Sequence, residues 1–200
     1  MLTEAKQKLR QPLLPVARAL AGLGVTPDLL TAAGLLAAVL SGIAIVFGRI
    51  PAAILGLLVS GICDLLDGDV ARQQPGRDRR FGAFFDSTSD RVTEICLFGG
   101  LLLNRVRLET GPTLSWTLAW LLALTGGLLV SYTRARAEGL GIACRVGVAD
   151  RSVRVGLIVA MLIAGLRHGE PFLWVLAALS WVTVIQRAVH VRRAVSGAAG

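Results

Sequence analysis

The stretch DLLDGDVARQQPGRDRRFGAFFDSTSD, Asp64 to Asp90, sets four carboxylates, Asp64, Asp67, Asp86 and Asp90, into the most apolar part of the chain. An unpaired carboxylate at membrane depth costs on the order of 3 kcal/mol, so four together need a reason. Their spacing supplies one. Asp64, Asp67 and Gly68 fall at i, i+3 and i+4, with Ala71 and Arg72 one turn later, so all five share one helical face. Gly82, Asp86 and Asp90 recur at i, i+4 and i+8 and form one stripe on a second helix. Two such helices facing each other present four oxygen donors to a common point, a site for a hard cation of the Mg²⁺, Mn²⁺ or Ca²⁺ kind. Capping, or pairing with Arg72, Arg77, Arg79, Arg80 and Arg91, accounts for one or two of these acids but not for four in register.

Outward from this stretch the chain is unusually apolar. Of 200 residues, 54% are hydrophobic and 17% charged, and the mean hydropathy is +0.66, which excludes an ordinary soluble domain. Leu29–Phe47 and Leu114–Thr133 are uncharged runs of 19 and 20 residues, each long enough to span a bilayer. The segments 51–72, 82–103, 151–166 and 172–190 are apolar runs interrupted by charge at one end. The expected fold is therefore an all-α integral membrane protein of six transmembrane helices. It reads as a single membrane domain over 1–200: a juxtamembrane segment at 1–24, a six-helix core at 25–190 and a tail at 191–200.

Basic residues orient it. With the N-terminus cytoplasmic, only Arg49, Arg105, Arg107 and Arg167 lie on the far side, and 17 of the 21 Lys and Arg residues face the cytoplasm. That bias accounts for most of the +8 charge, so nucleic acid is not needed as a partner and anionic lipid headgroups suffice. The chain is expected in the cell (inner) membrane, multi-pass. Lys6, Lys8, Arg10 and Arg18 among Leu9, Leu13, Leu14, Val16 and Leu20 suit an amphipathic segment on the cytoplasmic leaflet, or an irregular tail because of Pro12 and Pro15. The first 20 residues lack a continuous apolar core, so no cleavable leader is expected. Cys63, Cys96 and Cys144 show no paired spacing and read as packing residues. The acids sit in the cytoplasmic halves of their helices, so the polar cavity should open to the cytoplasm near the inner-leaflet headgroups.

The string Asp64–Asp90 reads D-x2-D-G-x2-A-R-x9-G-x3-D-x3-D. In that form it resembles the signature of the CDP-alcohol phosphotransferases, membrane enzymes that make phospholipids from a cytidine-diphosphate donor. The resemblance implies transfer of a phosphatidyl group from CDP-diacylglycerol, with attack by an acceptor hydroxyl and release of CMP. It implies two Mg²⁺ ions (Mn²⁺ as a substitute) on Asp64, Asp67 and Asp86, which neutralise the diphosphate. Asp90 would be the general base, with partial metal ligation as well. Arg72 would be the planar fork for a nucleotide phosphate, and Gly68 and Ala71 would be small to let the nucleotide approach, unless tight helix packing explains them. The segment GVTPDLLT resembles the family's entry to the first span, so Asp28, Leu29, Leu30 and Thr31 would contact the donor. Helix capping around Thr26, Asp28 and Pro27 is equally compatible. Arg79 and Gly82 complete the implied donor site.

SYTRARAEGLG (Ser131–Gly141), VGVADRSVR (Val146–Arg154) and IQR (Ile185–Arg187) look like the phosphatidylinositol-phosphate synthase branch of that family. There, basic residues grip the phosphate of an inositol phosphate; the matching positions are Arg134, Arg154 and Arg187, with Arg151 adjacent. The chain departs from the branch's acidic-Arg-Pro-Glu-Arg pattern at Asp150-Arg151-Ser152-Val153-Arg154, keeping the arginines alone. A phosphorylated polyol remains the implied acceptor. Glycerol phosphate, or a CDP-inositol donor with an inositol-phosphate acceptor, stays open. Positive-inside bias is the plainer reading of any single arginine. A homodimer is implied by the family alone. A divalent-metal transporter would need polar residues across the outer half, where Ile54, Leu57 and Leu58 or Leu97, Leu101 and Leu102 stand instead.

Overall fold

A computed structural model describes residues 11–74, 80–108 and 111–197, and every regular element among them is helical. Seven α-helices follow in order: α1 (Leu14–Gly22), α2 (Pro27–Val46), α3 (Ile50–Gln73), α4 (Arg80–Arg107), α5 (Leu114–Gly139), α6 (Arg151–Ala164) and α7 (Gly169–Gly197). The chain divides into two compact units between Gly100 and Leu101.

In the first unit α2 and α3 form an antiparallel hairpin. Thr26 caps α2 by accepting from the Leu29 amide at 3.2 Å, and Pro27 occupies the first turn, where its missing N–H costs nothing. Gly48, at φ +66°, turns the chain straight into α3, which also begins with a proline, Pro51. Small residues set the spacing between the two helices. A Cβ on Gly34 would meet Cys63 at 3.0 Å, and one on Gly56 would meet the Ala37 carbonyl at 2.9 Å. Buried Ser41 donates to the Ala53 carbonyl at 2.7 Å. Gly56 and Ser60 thus serve packing within one chain. Helix α4 crosses α2 equally closely, with Gly42 against the Cys96 carbonyl and Gly100 against Gly42.

The described part of the N-terminal segment, from residue 11 on, docks against α3, and Lys6, Lys8 and Arg10 lie outside the described residues. Pro15 stands in the first turn of α1, so it starts that helix instead of breaking it. Ala17 is completely buried against Leu66 and Val70 of α3, with Leu13, Leu20, Ala21 and Leu30 around it. This cluster backs the very turns of α3 that carry the acids.

In the second unit α5 and α7 run in the same direction and pack directly on each other, and α6, which joins them in sequence, packs on α7. Ser115 donates to Glu170 at 2.5 Å, the Trp181 indole to the Leu122 carbonyl at 3.1 Å, and the Arg187 guanidinium to the Val130 carbonyl. Gly126 leaves room for Ser180 and Trp181. Asp150 caps α6 by accepting from the Val153 amide at 3.0 Å.

Among the described residues, four segments are long and apolar enough to cross a membrane: Pro27–Val46, Ile50–Gln73, Leu114–Gly139 and Leu166–Ser196. The other two expected spans differ for distinct reasons. Helix α4, at 28 residues, has the length (about 42 Å) but carries Asp86, Asp90, Arg91 and Glu94 along it. Helix α6 stops at Ala164 because Gly165 adopts φ +95°, and its 14 residues rise only about 21 Å.

Candidate active site

Facing turns of α3 and α4 gather three of the four register acids. Asp64, Asp86 and Asp90 each place a carboxylate oxygen within 4.8 Å of the others. Like charges so close repel, and the donor set is all oxygen, the preference of Mg²⁺ and Mn²⁺. The trio therefore fits a hard divalent cation. Asp90 also receives Nη2 of its neighbour Arg91 at 3.3 Å.

Asp67, the fourth register acid, adjoins this set without being one of its three members. It is buried and accepts a 2.8 Å hydrogen bond from Thr31 Oγ1, across the α2–α3 hairpin. With Asp86 it lines a cavity of about 210 Å³. Asp28 and Thr31 of α2, Gly68 and Ala71 of α3, and Gly82 of α4 wall the same space. So Asp86 belongs to both features, and the cavity opens beside the acid trio.

Two glycines on this wall act differently. A Cβ on Gly82 would stand 3.2 Å from Asp28 Oδ1, so Gly82 makes room for that carboxylate. A Cβ on Gly68 would meet only the Arg72 guanidinium, at an ordinary 3.5 Å. Protein packing therefore does not require glycine at 68, and the bare backbone faces the cavity.

Of the four residues expected at the start of α2, Asp28 and Thr31 face the cavity, whereas Leu29 is exposed and Leu30 packs into the α1 cluster. This follows from helical periodicity, since positions 28 and 31 share a face that 29 and 30 do not. Arg79 lies outside the described residues. Two further acids escaped the register. Asp69 is 2% exposed and holds Arg72 Nη2 at 2.5 Å. Glu94 is buried one turn beyond Asp90 on the same stripe. An acid three residues before an arginine, and a third i+4 step after Gly82, were the signals for each.

The second unit treats its arginines unequally. Arg154 and Arg187, 3% and 6% exposed, converge on the loop before α6. Arg154 Nη1 donates to the Ala149 carbonyl at 3.0 Å and Arg187 Nε to the Val146 carbonyl at 2.9 Å. Thr183 Oγ1 secures the same loop by accepting from the Val148 and Ala149 amides at 3.2 and 3.0 Å. Arg134 is half-exposed and pairs with Glu138 at 2.8 Å, while Arg151 opens α6.

The profile of the CDP-alcohol phosphatidyltransferases matches residues 24–187. The chain belongs to that family. As a CDP-alcohol phosphatidyltransferase it is a transferase with membrane-type helices, and its acid trio suits the divalent metals such enzymes use. It is similar to an archaetidylinositol phosphate synthase of Methanothermobacter thermautotrophicus, 37% identical over 195 residues, covering 96% of this chain and 94% of that one. A phosphatidylinositol phosphate synthase of Mycolicibacterium smegmatis is 36% identical over 196 residues, with 92% and 85% covered. Among solved structures, the Mycobacterium tuberculosis phosphatidylinositol phosphate synthase with CDP-DAG bound superposes with a TM-score of 0.79 at 29% identity, over 89% of this chain and 92% of that one. The same enzyme in complex with manganese and citrate also gives 0.79, over 88% and 87%.

Proposed function

We propose that this transferase moves a phosphatidyl group from CDP-diacylglycerol to inositol phosphate, giving a phosphatidylinositol phosphate and CMP. The observation that carries the reading is the meeting of Asp64, Asp86 and Asp90 beside a cavity walled by small residues, Gly68 and Ala71. The synthase names of its relatives support the choice of acceptor.

Asp64, Asp67, Asp86 and Asp90 would hold two Mg²⁺ ions, which supply charge neutralisation for the diphosphate. Asp28, Thr31, Gly68, Ala71 and Gly82 form the seat for the cytidine-diphosphate head, with Arg72 as a phosphate fork. Asp90 is the general base: it takes the acceptor hydroxyl proton as that oxygen attacks the lipid-side phosphorus. The bond from that phosphorus to the bridging oxygen breaks, and CMP departs. Arg134, Arg151, Arg154 and Arg187 grip the acceptor's own phosphate. A guanidinium has five N–H donors; Arg187 spends Nε on the Val146 carbonyl and Nη1 on the Val130 carbonyl, which leaves others for an anion.

In this reading α4 and α6 complete six spans and the N-terminus is cytoplasmic, as the lysine and arginine placement favours. The cavity then opens at the inner leaflet of the cell membrane, and the protein works as a homodimer. The test is CMP release by purified enzyme with CDP-diacylglycerol, and with its archaeal ether-lipid counterpart, against inositol phosphate, glycerol phosphate, inositol and serine. Equal use of free inositol or serine would overturn the choice of a phosphorylated acceptor.

A further inference from the structure

Asp69 has no place in the four-acid register, yet it is among the most deeply buried polar side chains of the first unit, at 2% exposure. A buried carboxylate loses its hydration and persists only with charge pairing and hydrogen bonds. Arg72, one turn on, approaches with Nη2 at 2.5 Å from Asp69 Oδ1 while its own side chain stays 52% exposed. The pair is lopsided: the anion is anchored in the interior and the cation reaches outward from it. The guanidinium lies across the bare backbone of Gly68, where an added Cβ would sit 3.5 Å from Nη2 and 3.7 Å from Nη1. Gly68 is part of the cavity wall. The contact to Asp69 thus holds a long, four-torsion side chain against one wall of the cavity.

We infer that Asp69 is the positioning residue for Arg72, holding its guanidinium ready to receive the diphosphate of the donor. This rests on the reading of the cavity as the seat of a cytidine-diphosphate head. Asp69 itself touches no substrate and acts only through Arg72. Without it the arginine must be ordered at the moment of binding, a cost for one long side chain that corresponds to about a threefold to tenfold loss of affinity.

The test uses the full chain in detergent with Mg²⁺, and CDP as the probe. Asp69→Asn, which keeps the shape and removes the charge, should weaken CDP binding about threefold to tenfold. Arg72→Ala should weaken it at least as much, and adding Asp69→Asn to Arg72→Ala should cause no further loss. A loss repeated in full in the Arg72→Ala background, or no loss in the single variant, overturns the inference. Thermal unfolding gives a readout independent of CDP. Arg72→Ala removes the charge partner seen at Asp69 Oδ1 and should lower the midpoint, and Asp69→Asn on top should restore part of it; failure of that restoration also counts against the pairing. Asp69→Ala, which also removes the charge, serves if the Asn variant does not fold, with the same expectations for CDP binding. A wild-type enzyme that binds CDP but releases no CMP from any donor and acceptor defeats the proposed reaction alone, and the CDP data still decide on Asp69. A wild-type enzyme with no CDP affinity defeats both.

Discussion

Thr183→Val is the substitution that most directly tests how the second unit is held together. Thr183 is completely buried, donates to the Leu179 carbonyl at 2.8 Å and accepts from the Val148 and Ala149 amides. Valine keeps the volume and removes both acceptances. Ala149 is 1% exposed, so its amide is left without a partner or water, at about 1–3 kcal/mol. Val148 is 48% exposed and its amide recovers part of the loss from solvent. The total comes to about 2–4 kcal/mol, a large share of the roughly 5–15 kcal/mol that holds a domain folded. At 2–4 °C per kcal/mol for a chain of this size, thermal unfolding in detergent should fall by about 4–16 °C. Thr183→Ser keeps the hydroxyl and loses one methyl beside Gly147, so it should cost only about 1 kcal/mol. The loop freed by valine leads directly into Arg151 and Arg154, so the acceptor KM should rise while the donor KM changes little. A valine variant within about 0.5 kcal/mol of wild type, less damaged than the serine variant, would refute the reasoning.

Other outcomes follow from the first unit and from assembly. Excess chelator should abolish CMP release, and Mg²⁺ or Mn²⁺ should restore it; turnover that persists in chelator would defeat the metal reading of the acid trio. Asp64→Asn and Asp86→Asn should weaken metal binding together with turnover, whereas Asp90→Asn should lower the rate with a smaller loss of metal affinity, as measured by metal titration of kcat. Near-normal turnover of Asp90→Asn would remove it as the base. Arg187→Ala deletes the bonds to the Val146 and Val130 carbonyls, so it should both raise the acceptor KM about tenfold or more and lower the unfolding midpoint; an unchanged acceptor KM would leave it a purely structural tie. A detergent-corrected mass of one chain across several mild detergents would contradict the homodimer.

Helical periodicity is a local property, and what depends on it could be read from the chain. The i, i+4 steps of Asp86 and Asp90 and the placement of Asp64 on one face of α3 needed no knowledge of any neighbour, and the trio meets accordingly. The α2–α3 pair was legible for a similar reason, since the uncharged run ending at Phe47 and the apolar segment starting at 51 are separated by only a short break that holds Arg49. Pairings between elements were not legible. Nothing near Asp67 announces that Thr31 will claim its carboxylate, because that bond depends on the register of α2 against α3. The docking of α1 is hidden in the same way: Ala17 carries no signal until Leu66 and Val70 are known to face it.

The arginines carry this furthest. Basic residues at one end of apolar helices satisfy a topological preference whatever else they do, so their count says little about any one of them. Burial separates them. Arg134, half-exposed and paired with Glu138 one turn away, sits as any helix-surface arginine does. Arg154 and Arg187 are almost wholly buried, and an arginine in that position needs acceptors. Both bond backbone carbonyls of the loop before α6, and Arg187 bonds the Val130 carbonyl of α5 as well; a carbonyl oxygen is neutral, so these bonds do not cancel the charge. Two buried cations converging on one loop raise the local positive potential there, which favours an anion such as the phosphate of the proposed acceptor. Buried charge of that kind, rather than the number of basic residues, is the physical support that the chain itself adds to the choice of a phosphorylated acceptor.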